Sequence, residues 1–219
     1  MDKELCVVIG AGSGVSLGVA RRFGKEGFRI ALIARRAESV KESVSELEKL
    51  GIKAFGFVAD ASDFNALKQT FELISQSLGE TAVLVYNAAA IKQGIPSEIP
   101  VESLVEDFKT NVAGALVAAQ AVIPSMRAKG KGTILFTGGG LALHPNPQVA
   151  SLSVGKAAIR NLAYSLGAEL ELEGIQVATV TIAGYVKPGT HFDPDLIAET
   201  YWQLHTQKTG ERQREIVYK

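Results

Sequence analysis

Short apolar segments alternate with amphipathic segments along nearly the whole chain. Six of the apolar segments predict strands, and a seventh strand is possible at REIVYK. The six are LCVVIG, RIALIA, KAFGFVAD, AVLVYN, GTILFTG and IQVATVTI. Most are apolar on both faces, and helical periodicity fills the intervals between them. Such alternation is typical of a parallel sheet covered by helices on both faces. The pattern therefore predicts an α/β fold: a single doubly wound Rossmann-type domain over residues 1–219, with an about seven-stranded sheet.

The helical segments are bounded by glycines and by residues that favour helix starts. Asp63 precedes one of them and is a plausible N-cap. In a doubly wound sheet, ligands bind beyond the carboxyl ends of the strands, at the point where the winding reverses. We therefore expect the functional residues in the segments that follow strands. The predicted helices cover residues 18–27, 38–51, 63–79, 101–128, 151–173 and 193–207.

Charge and cysteine content narrow the class of function. The 219 residues include 23 Lys and Arg and 23 Asp and Glu, so the formal net charge is zero. That balance gives no general attraction to nucleic acid or to anionic membranes, and we expect neither as a partner. Cys6 is the single cysteine, which excludes an internal disulfide and favours a reducing compartment, the cytoplasm. His191 and His205 lack partners at ligand spacing, so no metal site is expected.

A glycine-rich turn follows the first predicted strand. In VIGAGSGVSLG, Gly10, Gly12 and Gly14 allow backbone to approach a phosphate closely, and the helix N-terminus behind them favours an anion. The G-x-G-x-x-G spacing is not met from Gly10 or from Gly12. Tight turns between strand and helix need glycine for other reasons, but the position in an alternating chain favours a nucleotide site.

The end of the second strand indicates which nucleotide binds. An NAD site usually places Asp or Glu there to bind the ribose 2′-hydroxyl. This chain has Ala34, Arg35 and Arg36 instead. Two guanidinium groups suit a 2′-phosphate, although both could simply be solvated at a helix entry. We predict that NADP(H) is preferred and that NAD(H) remains possible.

These residues together resemble the short-chain dehydrogenase/reductase family. In the family's first motif, T-G-x-x-x-G-x-G, Gly10 and Gly14 match, whereas Ile9 and Ser16 replace the threonine and the last glycine. Asp60 lies where the family contacts adenine. Further matches are Asn87 and Ala88 in YNAAA, Asn111 in TNVAG and Gly184 in IAGYV; the departures are Tyr86, Ala89 and Ala183. The resemblance covers nearly the whole chain and implies nicotinamide-dependent oxidation or reduction.

The catalytic motif of the family is present only in part. Lys156 matches the lysine of Tyr-x-x-x-Lys, which in the family holds the nicotinamide ribose. Leu152 stands at the tyrosine position and Gly139 at that of the serine, so neither hydroxyl is available. In the family the tyrosine donates a proton and the serine steadies the carbonyl oxygen. The resemblance thus implies a divergent member that lacks both groups.

Other residues could supply the proton. His144, after the fifth strand, could donate a proton near neutral pH, but it could equally shape a proline-rich loop. Tyr185 follows Gly184 and could face the nicotinamide or form a packing wall. The candidate catalytic residues are Asn111, Lys156, His144 and Tyr185. The candidate cofactor-binding residues are Gly10, Gly12, Ser13, Gly14, Val15, Arg35, Arg36, Asp60, Ala61, Asn87, Ala88, Ala89, Lys156, Gly184 and Val186.

Two functions follow from this set. One is an NADP(H)-dependent oxidoreductase with a non-standard proton donor and an unknown carbonyl or alcohol substrate. The other is an NADP(H)-binding sensor or partner subunit without turnover. The small and apolar residues in the helices around 101–128 and 151–173 also predict a homodimer or homotetramer, and the resemblance implies an interface on the same helices.

Overall fold

The computed structural model describes residues 3–219 as seven parallel strands with helices on both faces. The strands are β1 (Leu5–Ile9), β2 (Arg29–Ala34), β3 (Ala54–Val58), β4 (Thr81–Tyr86), β5 (Gly132–Gly139), β6 (Ile175–Ile182) and β7 (Glu215–Tyr218). Their order in the sheet is β3-β2-β1-β4-β5-β6-β7. The winding reverses between β1 and β4, which opens a crevice at their carboxyl ends. The predicted fold class is confirmed.

Seven α-helices connect the strands. They are α1 (Val15–Lys25), α2 (Ala37–Lys49), α3 (Phe64–Leu78), α4 (Val101–Phe108), α5 (Gly114–Lys129), α6 (Ala150–Leu170) and α7 (Pro194–His205). Asp63 caps α3, because its carboxylate accepts hydrogen bonds from the amides of Asn65 and Ala66. This N-cap was predicted from the sequence and is confirmed.

Alternate side chains of each central strand pack on opposite faces of the sheet. In β1, Leu5, Val7 and Ile9 belong to the core beneath α3, α5 and α6, whereas Cys6 and Val8 belong to the core beneath α1, α2 and α7. All five are buried. Two buried faces explain why the strands are continuously apolar in the sequence. Cys6 is therefore a core residue, and its burial raises the pKa of the thiol well above its usual range.

The helical region predicted at 101–128 is not continuous. A π-helical turn, Lys109–Ala113, separates α4 from α5. Directly after it, a Cβ at Gly114 would meet the Ala61 carbonyl and lie 2.6 Å from the Tyr86 hydroxyl oxygen, so only glycine permits this approach. A wide turn of this kind is common at functional sites, and it carries Asn111.

The first helix begins earlier than the sequence predicted. We expected a helix from Gly18, but α1 starts at Val15, directly after the glycine-rich turn. Gly18 lies against the backbone of Pro194, the first residue of α7, where a Cβ would clash. The glycine that sequence reasoning took for a boundary is therefore a contact point between two helices.

Candidate active site

An open cavity of about 360 Å³ lies at the carboxyl ends of β1, β2 and β4. Arg35, Arg36 and Asp60 form its charged rim. Sequence reasoning missed several lining residues, among them Ser39 and Thr110, because nothing in their local pattern marks them. Eight predicted cofactor-binding residues line it: Gly10, Arg35, Arg36, Asp60, Ala61, Asn87, Ala88 and Ala89. Gly12, Ser13, Gly14, Val15, Lys156, Gly184 and Val186 do not.

Gly10 makes the turn out of β1 possible. Its φ is +89°, in the region that favours glycine, and a Cβ there would lie 2.6 Å from the amide nitrogen of Ala88. The turn is therefore pressed against the segment that follows β4. By contrast, a Cβ at Gly12 or Gly14 would meet no heavy atom within 4 Å, which leaves open space in front of the loop.

Ser16 replaces a family glycine and takes part in a hydrogen-bonded chain. Its hydroxyl donates to the Gly10 carbonyl at 2.7 Å and accepts from the side-chain amide of Asn87 at 2.7 Å. The Asn87 backbone amide also donates to the Ile9 carbonyl. This chain fixes the glycine-rich turn relative to the end of β4. Because Ser16 is only 1% exposed, its hydroxyl is structural and does not face a ligand.

The cationic rim of the cavity lies at the start of α2. Arg36 is the N-cap position of this helix, and within residues 3–219 no side chain caps it. The Arg35 side chain is 67% exposed and lies 3.8 Å from an Asp60 carboxylate oxygen. The other Asp60 oxygen accepts from the amide and hydroxyl of Ser62. A helix N-terminus beside two guanidinium groups can bind an anion.

Asn111 is held by the segment after β4. Its side-chain oxygen accepts from the Ala90 amide at 2.7 Å, and its amide donates to the Ala90 carbonyl at 3.3 Å. The Tyr86 hydroxyl donates to the Thr110 carbonyl at 2.5 Å, and burial raises the pKa of this phenol above its usual range. Tyr86, which departs from the family motif, thus supports the turn from which Asn111 projects.

Lys156 lies on α6 and faces the sheet. Its ammonium donates to the Thr137 carbonyl of β5 at 2.7 Å, and its methylenes pass 3.4–3.5 Å from the position of a Cβ at Gly139. Gly155 brings α6 close to Asn111, since a Cβ there would lie 2.7 Å from the Asn111 Cβ. Burial lowers the pKa of Lys156 to about 8.

The structure leaves two predicted proton donors in solvent. Tyr185 is 85% exposed, and His144 is exposed in the loop after β5. Leu152 is 8% exposed in the first turn of α6. The β6–α7 segment is short and packed down, because the Phe192 ring covers Gly184, where a Cβ would clash with it.

A second polar cluster, at the start of α6, was not predicted from the sequence. The Ser151 hydroxyl donates to the buried carboxylate of Asp107 at 2.7 Å, and Lys92 forms an ion pair with the same carboxylate. This cluster ties the segment after β4 to α4 and α6. Asp107 lies four residues before Asn111, a spacing that places both on one helical face, but nothing in the sequence indicated its partners.

Two absences hold for the part of the chain that the structure describes. From residue 3 to residue 219, no cluster of three His, Cys, Asp or Glu side chains could hold a metal ion. Over the same residues, no helix combines the length and apolarity that crossing a membrane would need.

Solved structures similar to this chain share its whole architecture. One is a metagenomic short-chain oxidoreductase in complex with NADP, with a TM-score of 0.88 and 26% identity; the match covers 98% of this chain and 96% of that one. A short-chain dehydrogenase from Rhodopseudomonas palustris has a TM-score of 0.89 at 24% identity, over 100% of this chain and 99% of that one, and shows the fold.

Sequence comparison identifies relatives at a similar distance. A 3-oxoacyl-acyl-carrier-protein reductase of Homo sapiens is 27% identical over 85% of this chain and 76% of its own length. The short-chain dehydrogenase/reductase SDRA of Arabidopsis thaliana is 28% identical over 88% of this chain and 74% of its own. The sequence model of the family described as "short chain dehydrogenase" matches residues 4–195, and the chain belongs to this family.

Proposed function

We propose that this protein is an oxidoreductase that binds NADP(H) in the crevice and acts on a carbonyl or alcohol substrate with a proton donor other than the family tyrosine. The observation that carries the proposal is the cavity beyond β1, β2 and β4, with its glycine turn at one side and two arginines at the other. Family membership supports nicotinamide-dependent chemistry. The preference for NADP(H), the substrate and the donor are our inferences.

The residues present fit such a cofactor. Gly10 leaves no side chain between the glycine turn and Ala88, and the space in front of Gly12 and Gly14 is open. Arg35 and Arg36 stand where a 2′-phosphate would need cations, and buried Ser39 lines the same cavity in the first turn of α2. In this proposal the arginines hold the phosphate, Asp60 faces the adenine and Lys156 the nicotinamide ribose. The cofactor, when bound, supplies or accepts hydride.

A binding titration with both cofactors tests the first half of the proposal. NADPH and NADH fluorescence should report saturable binding, with the smaller dissociation constant for NADPH. NADPH oxidation over a panel of aldehydes, ketones and quinones tests the second half. If neither cofactor binds, both proposed functions fail.

One observation favours the second function, binding without turnover. Gly139 and Leu152 provide no hydroxyl, and the two predicted substitutes, His144 and Tyr185, are exposed. A general acid contributes about 10²–10⁴-fold in rate, so its loss without replacement would leave a cofactor-binding protein. Saturable NADPH binding without oxidation over the whole panel would favour this sensor or partner-subunit function.

We further propose a homodimer or homotetramer that uses the outer faces of α4 and α6. Val101, Val105, Phe108 and Val154 are 69%, 53%, 39% and 48% exposed on these helices. They adjoin an apolar groove of about 510 Å³ between the two helix starts. Exposed apolar surface of this kind is usually buried by a partner. Light scattering at micromolar concentration should give a dimer or tetramer mass; a monomer mass would contradict the proposal.

A further inference from the structure

The ammonium of Lys156 has one hydrogen-bond acceptor and no carboxylate partner among residues 3–219. The acceptor is the backbone carbonyl of Thr137, which is neutral. On the same face of α6, one turn later, Arg160 is paired with Glu215 of β7. A partly buried cation without a counter-charge loses its proton more readily than an exposed one, because desolvation disfavours the charged form.

Within residues 3–219, no ion pair joins Lys156 to a charged group on the elements packed against α6. Asp107 on α4 accepts from Ser151 and pairs with Lys92, which comes from the segment after β4. Neither β5 nor β6 contains a charged residue, and Gly139 of β5 lies against the Lys156 methylenes. Desolvation therefore governs this amine, and its pKa is lowered to about 8, from about 10.4 in an exposed lysine.

Among residues 3–219, the other candidate proton donors at this end of the crevice are absent, engaged or exposed. Leu152 and Gly139 carry none, and the amide of Asn111 is committed to the backbone of Ala90 in both directions. His144 and Tyr185 are exposed on the loops after β5 and β6. Lys156, by contrast, passes directly over Gly139, the position of the family's carbonyl-binding serine.

We propose that Lys156 is the proton donor of the reaction, in place of the missing tyrosine; this inference rests on the proposed function. When bound in its reduced form, the cofactor would supply the hydride for the new C–H bond, and the carbonyl oxygen would take its proton from the Lys156 ammonium. An alcohol, oxidised cofactor and a neutral amine result, and the amine regains its proton from solvent. A pKa near the working pH suits an acid that must be reloaded in every cycle.

The decisive variant is Lys156→Arg, because arginine keeps the positive charge and the donor hydrogens but does not release a proton at neutral pH. NADPH affinity should stay within about tenfold of the parent protein, since the cation remains. The rate constant for NADPH oxidation with the best carbonyl of the panel should fall by about 10²–10⁴-fold. In Lys156→Ala, methylamine at millimolar concentration should restore part of the rate, with a pH dependence that follows the added amine. Lys68→Arg, an exposed position on α3, is the matched control and should change neither quantity.

A measurement without turnover checks the same amine. Competitive labelling with acetic anhydride, read peptide by peptide by mass spectrometry, should give Lys156 a midpoint of about pH 8 and should show protection by NADP⁺. Lys68, exposed on α3, is the reference amine in the same digest.

Three results would overturn the inference. The first is a labelling midpoint of Lys156 near pH 10.4. The second is a Lys156→Arg variant in which the rate constant of NADPH oxidation falls by no more than the NADPH affinity does. The third is a parent protein that binds NADPH but oxidises it with no carbonyl of the panel. The second result leaves the proposed oxidoreductase intact, whereas absence of NADPH binding removes the proposed function itself.

Discussion

The two ends of the crevice differ in how far they keep the features that the family needs. At the adenine end, the glycine turn, Asp60 and the arginine pair line one cavity. At the end proposed for the nicotinamide, Lys156 and Asn111 are present, but Gly139 and Leu152, at the positions that the resemblance aligns with the serine and tyrosine, carry no hydroxyl. In the proposed function, binding and proton transfer are therefore separable, because they depend on residues of different strands and helices. A glycine turn, an aspartate and an arginine pair suited to a nucleotide therefore do not by themselves establish turnover.

Restoring the missing hydroxyls should give the largest effect. Gly139→Ser combined with Leu152→Tyr should raise the rate of NADPH oxidation by about 10²–10³-fold, because an oxyanion donor is regained and the tyrosine hydroxyl adds a second proton source beside Lys156. The serine Cβ fits at ordinary contact distance, 3.4 Å from the nearest Lys156 methylene. NADPH oxidation over the carbonyl panel measures the gain, and Gly139→Ser alone covers the case in which the tyrosine does not fit. An unchanged rate in a folded, NADPH-binding double variant would show that the family's chemistry no longer operates here.

Damage to the adenine end should act on binding and folding together. Gly10→Ala places a Cβ 2.6 Å from the Ala88 nitrogen at a φ of +89°, so we expect a loss of about 1–3 kcal/mol in the free energy of unfolding and weaker NADPH binding. Urea unfolding and a fluorescence titration measure the two effects. Gly12→Ala, which meets no heavy atom within 4 Å, is the control and should leave folding unchanged. Equal stability of both variants would mean that the turn can relax.

The arginine pair should decide between the two cofactors. Arg35→Ala should weaken NADPH binding by about 1–3 kcal/mol and leave NADH binding nearly unchanged, because a charge-assisted contact to the 2′-phosphate is lost. Arg36→Ala should act in the same direction. Parallel titrations with both cofactors measure the discrimination. A loss that is equal for NADPH and NADH would refute the assignment of this end to a 2′-phosphate.

His205 lies outside the crevice, and its titration predicts a loss of stability in acid that is distinct from any titration in the crevice. Burial among Phe23, Phe28 and Trp202 lowers the pKa of His205 to about 4, from about 6.5 when unfolded. Because the unfolded chain then binds more protons, stability is present above pH 6.5 and is lost as the pH falls towards 4. We expect about 1–2 kcal/mol less unfolding free energy at pH 5 than at pH 7.

Urea denaturation at both pH values measures this loss, and His205→Asn should flatten it. A slope that His205→Asn leaves unchanged would assign the acid sensitivity to another group. Any change of turnover above pH 7 is then not due to His205, since this histidine is already neutral there.

The sequence was most informative where local chemistry and backbone geometry coincide. The buried strands, the Asp63 cap and the glycine turn could be predicted because apolar alternation, a capping carboxylate and φ-permissive residues act over a few positions. It was least informative where partners are far apart in the chain. The Ser16–Asn87 bond joins residues 71 positions apart, and the Asp107–Ser151 bond joins residues 44 apart. The periodicity of apolar residues does not predict hydrogen bonds between residues so far apart in the chain.

The sequence alone was enough to predict the parallel sheet and a ligand crevice at the carboxyl ends of its strands, and it places Gly139 and Leu152 at two positions that the resemblance aligns with hydroxyl residues, because these features follow from short-range pattern and residue identity. The tertiary structure decided the environment of the residues that remain. It turned the Lys156 ammonium onto the Thr137 carbonyl without a carboxylate partner, committed Asn111 to Ala90, and left Tyr185 in solvent. Burial and hydrogen-bond partners depend on packing between distant segments, and they set the protonation of a side chain whose identity alone says little.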